Sequence, residues 1–130
     1  ERLVVDSSGN LGLGVTPSAW RSTWKAIDVG SIGAFVYDQN DNAIDVWNNS
    51  YYNGTSSIYK TNAYASVYRQ NASSGQHQWY SSTASGTVGG AATMTQAMTL
   101  ANSGFLGVGS TSPTGVITLS SVREVSVLLV

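Results

Sequence analysis

Along most of this chain apolar and polar residues alternate with a period of two, and clusters of Gly, Ser, Asn and Asp break the alternation every six to twelve residues or so. That rhythm predicts extended strands joined by tight turns, and no helical spacing emerges. The stretch most open to a helical reading, 91–100, sets Thr93, Thr95, Ala97 and Thr99 against Met94, Met98 and Leu100. So much threonine at alternate positions favours a strand. Leu3-Val4-Val5 and Leu11-Gly12-Leu13 flank a loop in which Gly9 can supply a positive φ, which predicts a short hairpin. Further strands are expected at 26–29, 32–37, 43–47, 57–60, 63–69, 76–81 and 92–100, each bounded by turn-forming residues. Strands of this number and length point to a small sandwich or a jelly-roll-like sheet.

One phrase occurs twice. Leu11-Gly12-Leu13-Gly14-Val15-Thr16-Pro17 returns as Leu106-Gly107-Val108-Gly109-Ser110-Thr111-Ser112-Pro113. Leu3, Val5, Ser8 and Gly9 likewise correspond to Met98, Leu100, Ser103 and Gly104, about 95 positions on. The chain therefore reads as one repeat unit plus the opening of the next, in the manner of an elongated array. Its divisions are a hairpin repeat over 1–20, an aromatic-rich β module over 21–97, and a second hairpin with an apolar terminal strand over 98–130. Gly12 and Gly14 fall on one side of their strand, an arrangement that permits close backbone approach and suits strands of several chains crowding round a shared axis. The segment 122–130 is the most apolar and β-prone of all and is expected to need a partner strand.

Composition narrows the function. Asp, Glu, Lys and Arg make up 10% of the residues, against roughly 25% in ordinary soluble domains, so the surface is mostly neutral and polar. Six basic residues set against seven acidic ones leave no basic stripe for phosphates, and neither nucleic acid nor membrane insertion is expected. The chain has no cysteine, hence no disulfide framework and no thiolate metal site.

Chemistry-bearing groups are sparse. His77 is the single histidine and reads as a strand residue beside Trp79. Asp38, Asn40 and Asn42 have the one, three, five spacing of a calcium loop, with Asp41 and Asp45 close by, but Ala43 and Asn49 stand where such a loop requires Gly and Glu. A polar turn is the better reading, and no metal or cofactor is called for. A glycosidase pair would have to come from Glu1, Asp6, Asp28, Asp38, Asp41, Asp45 and Glu124, and no local pattern selects two of them. The aromatic residues are more informative. Trp47, Tyr51, Tyr52, Tyr59, Tyr64, Tyr68, Trp79 and Tyr80 lie among Asn, Gln and Ser within a third of the chain. Rings with an apolar face and a polar edge suit stacking on sugars, so these eight are the candidate glycan contacts; the competing role for each is to fill the core.

Val5-Asp6-Ser7-Ser8-Gly9-Asn10-Leu11-Gly12-Leu13-Gly14-Val15-Thr16-Pro17 resembles the "DSSGNxGIGTxxP" signature widespread in bacteriophage tail fibres and related virion proteins. The copy over 98–113 looks like the same signature, and Tyr51-Tyr52-Asn53-Gly54-Thr55, Ala65-Ser66-Val67-Tyr68-Arg69-Gln70 and Thr95-Gln96-Ala97-Met98-Thr99-Leu100 are similar to phrases between such signatures. Departures are Leu13 and Val108 in place of the usual Ile, Phe105 in place of the Asn found at Asn10, and a tail at 122–130 that matches nothing in the family. The resemblance implies a homotrimer located in the virion tail, contacting other tail proteins and a host cell-surface polysaccharide, and it carries over no catalytic residue. The expected fold is thus all-β, with short hairpin repeats flanking a small sandwich or jelly-roll-like module in an intertwined homotrimer. The expected function is a structural and receptor-binding fibre segment rather than an enzyme. A polysaccharide depolymerase module and a bacterial extracellular adhesin are the alternatives.

Overall fold

The computed structural model describes residues 2–119, which form thirteen strands and, among the described residues, no helix. In chain order these are β1 (Leu3–Val5), β2 (Leu11–Leu13), β3 (Lys25–Val29), β4 (Gly33–Asp38), β5 (Ala43–Asn48), β6 (Ser50–Tyr52), β7 (Ser57–Tyr59), β8 (Ser66–Asn71), β9 (Gln76–Ser82), β10 (Ala91–Ala92), β11 (Met94–Leu100), β12 (Leu106–Val108) and β13 (Ile117–Leu119). Ten of them build one mixed sheet in the order β1-β2-β3-β4-β5-β8-β9-β11-β12-β13, while β10-β7-β6 form a second, small one. The ladders of the large sheet are antiparallel except for β2 with β3 and β12 with β13.

The large sheet is a meander rather than a jelly roll. Tight turns such as those containing Asn42 (φ 52°) and Gly75 (φ 69°) return the chain beside the strand it has just left, so consecutive strands pair and no Greek-key crossing arises. Two excursions interrupt the meander: β10 leaves it between β9 and β11 to pair with β7, and a longer one starts at β5. At the end of β5, Asn49 takes φ 57°, and its buried side chain donates to the carbonyl oxygen of Tyr64 at 3.0 Å and accepts from the Thr61 hydroxyl at 2.7 Å. The chain leaves the sheet there, makes β6 and β7, and returns as β8 against β5. Both β6 and β13 were absent from the sequence-based expectation.

Strand alternation gives the large sheet two unlike faces. The inner face carries Ala26, Asp28, Ala34, Val36, Ala43, Asp45, Trp47 and Val67, all buried. Its alanines leave room for the connection between β2 and β3, from which Trp20 and Trp24 pack onto Trp47 at centroid distances of 5.4 and 6.0 Å. Tyr51 and Tyr52 of the small sheet close over this cluster. Each indole N–H has an acceptor: Trp20 finds Asp28 (2.9 Å), Trp24 finds Asn40 (3.1 Å) and Trp47 finds Asp45 (3.1 Å). The outer face is different. The register aligns Val5, Leu11, Ile27, Phe35, Val46, Tyr68, Trp79, Met98 and Val108 in a single row across nine successive strands. No described element covers them, and Phe35 is 56% exposed.

The two copies of the repeated phrase fold into hairpins of the same register, Leu3 opposite Leu13 and Met98 opposite Val108, each continued by a parallel strand. Gly9 and Gly104 take φ 81° and 83°, and Gly14 and Gly109 take 71° and 69°. Gly12 corrects the expectation drawn from its position. A Cβ there would meet the carbonyl oxygen of Val15 at 1.9 Å and Pro17 at 3.0 Å, so the close approach is made by the chain's own next loop and not by another chain. Gly14 lies beyond the strand, where its positive φ turns the backbone. The hairpins differ at one feature. Asn10, buried, donates its backbone N–H (2.8 Å) and its side-chain Nδ2 (3.0 Å) to the Asp6 carboxylate on one side and accepts from the Ala26 N–H (3.0 Å) on the other, whereas Ala101 and Phe105 stand at the places of Asp6 and Asn10 in the second copy. The apolar stretch 122–130 lies outside the described residues.

Candidate functional site

The eight aromatic residues singled out from the sequence do not converge. Trp47 and Tyr59 are core residues at 5% exposure each. The Tyr59 hydroxyl donates to the Ala84 carbonyl (2.6 Å), and its ring lies where Gly86 would carry a side chain. Tyr51 packs on Trp20. Tyr64 stands alone in a loop, 65% exposed. Tyr68 and Trp79 share the outer face with His77, their rings 5.1 Å apart, and the Tyr68 hydroxyl meets His77 Nδ1 at 2.6 Å. His77 is therefore a strand residue held in an aromatic ladder, as its position beside Trp79 predicts. Tyr52 and Tyr80 lie on the inner side, and these two border the groove described next.

That groove, about 290 Å³, opens between the inner face of the large sheet and the edge of the small one. Trp24, Tyr52, Tyr80, Val67 and Met94 supply its apolar surface, with Trp47 behind them; Arg21, Asn40, Asp41, Ser57 and Arg69 supply its polar groups. Trp24 and Tyr52 are held 5.0 Å apart at an interplanar angle of 33°. The backbone bond from Arg21 N–H to the Tyr52 carbonyl (2.8 Å) ties the tryptophan-bearing connection to the small sheet.

Arg69 organises the polar side. On β8 it points inward next to Val67, and its guanidinium donates to three carboxylates: Nε and Nη2 to Asp45 (2.8 Å each), Nη2 to Asp38 (2.8 Å) and Nη1 to Asp41 (2.6 Å). Asp38 and Asp45 are buried while Asp41 is half exposed. Burial pulls the Arg69 pKa down, but the hydrogen bonds and charge of Asp45, then the charges of Asp38 and Asp41, outweigh it and raise the pKa overall. Beside it, burial raises the Tyr80 hydroxyl, an effect that Arg69 opposes. Asp38 also accepts from the N–H groups of Asn40 (2.8 Å) and Asp41 (3.2 Å), which shapes the turn 38–42.

This arrangement decides how the calcium-like spacing is to be read. The guanidinium occupies the position among Asp38, Asp41 and Asp45 that a cation would take, and Asn40 spends its side-chain oxygen on Trp24 and Thr23. Among the described residues no group of three or more His, Asp or Glu is arranged to hold a metal ion. The remaining buried acid, Asp28, is paired with Lys60, which also lies 5.4 Å above the Trp20 ring. Asp6, in the first hairpin loop, is held below its ordinary value by hydrogen bonds from Asn10 first, then Ser8 and Gly9.

Reasoning from sequence missed Arg21, Trp24 and Arg69 as groove residues. A usable signal was present for one of them. Among six basic residues, Arg69 shares strand parity with Val67, and Asp45 shares it with Ala43 and Trp47, so a charge lay inside on each of two strands. No protein-family model matches this sequence, and no curated protein matches it.

Proposed function

We propose that this chain is a segment of a trimeric bacteriophage tail fibre or tailspike that binds a host-surface glycan in the groove bounded by Trp24, Tyr52 and Tyr80. The observation that carries the reading is the groove's make-up. Tyr52 and Tyr80, both half-buried, line an open trough over the buried Trp24, and its rim offers Asn40, Asp41, Ser57 and Arg21 to hydroxyl groups, the combination by which proteins hold sugars. The repeated hairpins, and the resemblance of their sequence to phage fibre signatures, support the place in a virion tail, alongside other tail proteins.

Binding without cleavage is the preferred activity, because Asp38 and Asp41, the two carboxylates that line the groove, and the neighbouring buried Asp45 are all engaged by one guanidinium. A hydrolase needs one acid able to carry a proton to the leaving group and a second free to act on the sugar. Neither nucleic acid nor a bilayer enters this reading. Titrating purified host capsule or lipopolysaccharide oligosaccharides into the protein tests it. Binding should weaken at least tenfold in Tyr52→Ala, with no new reducing ends released. Affinity unchanged in Tyr52→Ala and in Asp41→Ala would remove the groove as the site, and released reducing ends would establish a depolymerase instead.

A further inference from the structure

We infer that the outer face of the ten-stranded sheet is the surface on which copies of this chain pack against one another, with Ile27, Phe35 and Val46 at the centre of the contact. This rests on the trimeric part of the proposed function and assigns to it a face.

Three observations single out a second copy as the occupant. The first is continuity. The apolar row crosses nine strands, a bulge between Gln96 and Met98 on β11 bringing Met98 opposite Trp79, and Leu13, Val29 and Ile44 widen it on both sides. Monomeric proteins rarely expose apolar patches beyond a few hundred Å². The second is area. Ten strands at about 4.8 Å spacing, with three residue rows about 7 Å apart, span roughly 600–900 Å², close to the roughly 800 Å² that each partner contributes to a stable interface. The third is charge. Among the described strand residues that point to this face, Lys25 is the one Lys or Arg, at the margin and bonded to the Ser8 carbonyl (2.8 Å); His77 is the one histidine, its Nδ1 taken by the Tyr68 hydroxyl; and there is no carboxylate. An unlike partner selected by charge has nothing to read here, and an anionic bilayer has no basic cluster to hold it. A neutral face with an apolar central row, flanked on β5, β8 and β9 by the uncharged Asn48, Ser66, Gln70 and Ser81, is complementary to itself. Packed this way, the groove on the opposite face of each sheet remains open to solvent.

The absence of cysteine makes the test direct. Single variants Phe35→Cys and, on the groove side, Asn40→Cys are each labelled with a maleimide while the mass of the same sample is followed by light scattering. The inference expects an oligomer in which the thiol at position 35 reacts at least tenfold more slowly than that at position 40, the two becoming equal on dissociation. It also expects Phe35→Lys to weaken association at least a hundredfold with an unchanged far-ultraviolet circular dichroism spectrum. A dimer with a shielded thiol would keep the inference and overturn the trimer. A trimer whose thiol at 35 reacts as fast as that at 40 would keep the trimer and overturn the inference. A monomer would overturn both, including one whose thiol at 35 is shielded only by added lipid vesicles. Glycan binding is scored separately, so loss of the groove reading leaves these outcomes intact.

Discussion

The two faces of the large sheet reverse the usual distribution of charge. Asp28, Asp38 and Asp45 are each 1% exposed or less on the covered inner face, with Arg69 and Lys60 beside them, while Phe35, Ile44, Val46 and Ile27 stand on the uncovered outer face. The inner face holds its charges because each is paired and its remaining lone pairs accept from indole or backbone N–H groups. The outer face has no corresponding cover within the described residues. The difference teaches that, among the described residues, only one of the sheet's two surfaces is covered: the polar inner surface is completed from within, and the apolar outer surface is the one assigned above to packing between copies.

Arg69→Met would strike this contrast hardest. It leaves Asp38 and Asp45 buried without their counter-charge, and a loss of about 3–5 kcal/mol in urea unfolding is expected. A loss below 1 kcal/mol would mean that the inner face does not depend on the pairing. A matched pair of truncations sharpens the comparison at an intermediate scale. Trp20→Ala removes a ring from the centre of the inner cluster and should cost about 3–5 kcal/mol, whereas Phe35→Ala, measured in the dissociated chain, should lie within about 0.5 kcal/mol of the parent. Equal costs would show that the outer face is already covered in the monomer. The smallest effect concerns the first hairpin. Asp6 has a folded pKa below its ordinary 3.8, so the carboxylate contributes stability that is fully present above that value and is lost as the pH falls through the folded pKa. Asp6→Asn should flatten the decline of stability below about pH 4. An identical acid profile for parent and variant would remove Asp6 as its source.

Much of the fold was legible because period-two alternation is a local property. The strands β3, β4, β5 and β9 fall within a residue or so of the positions that alternation marks, and the pairing of Leu3 with Leu13 follows from the loop between them. β6 escaped because Asn49 takes a left-handed conformation and begins a new strand at the next residue, so a turn cluster and a strand start overlap. The groove was only partly legible. Tyr52 and Tyr80 stood among eight aromatic candidates, but nothing local separates them from Trp47 or Tyr59, whose burial depends on what lies above them. Arg69 gathers carboxylates 24 to 31 residues away, and neighbours in sequence give no sign of such a meeting.

By itself, then, the sequence determined that the chain is all-β, where most strands run, which residues of each strand share a face, and that two hairpins repeat. Those are consequences of backbone geometry, which acts over a few residues. Only the tertiary structure decided that the polar face is the covered one. The choice turned on where Trp20 and Trp24 dock and on which cation meets Asp28, Asp38 and Asp45. Alternation defines two faces and is symmetric between them; packing and charge pairing across long separations break that symmetry.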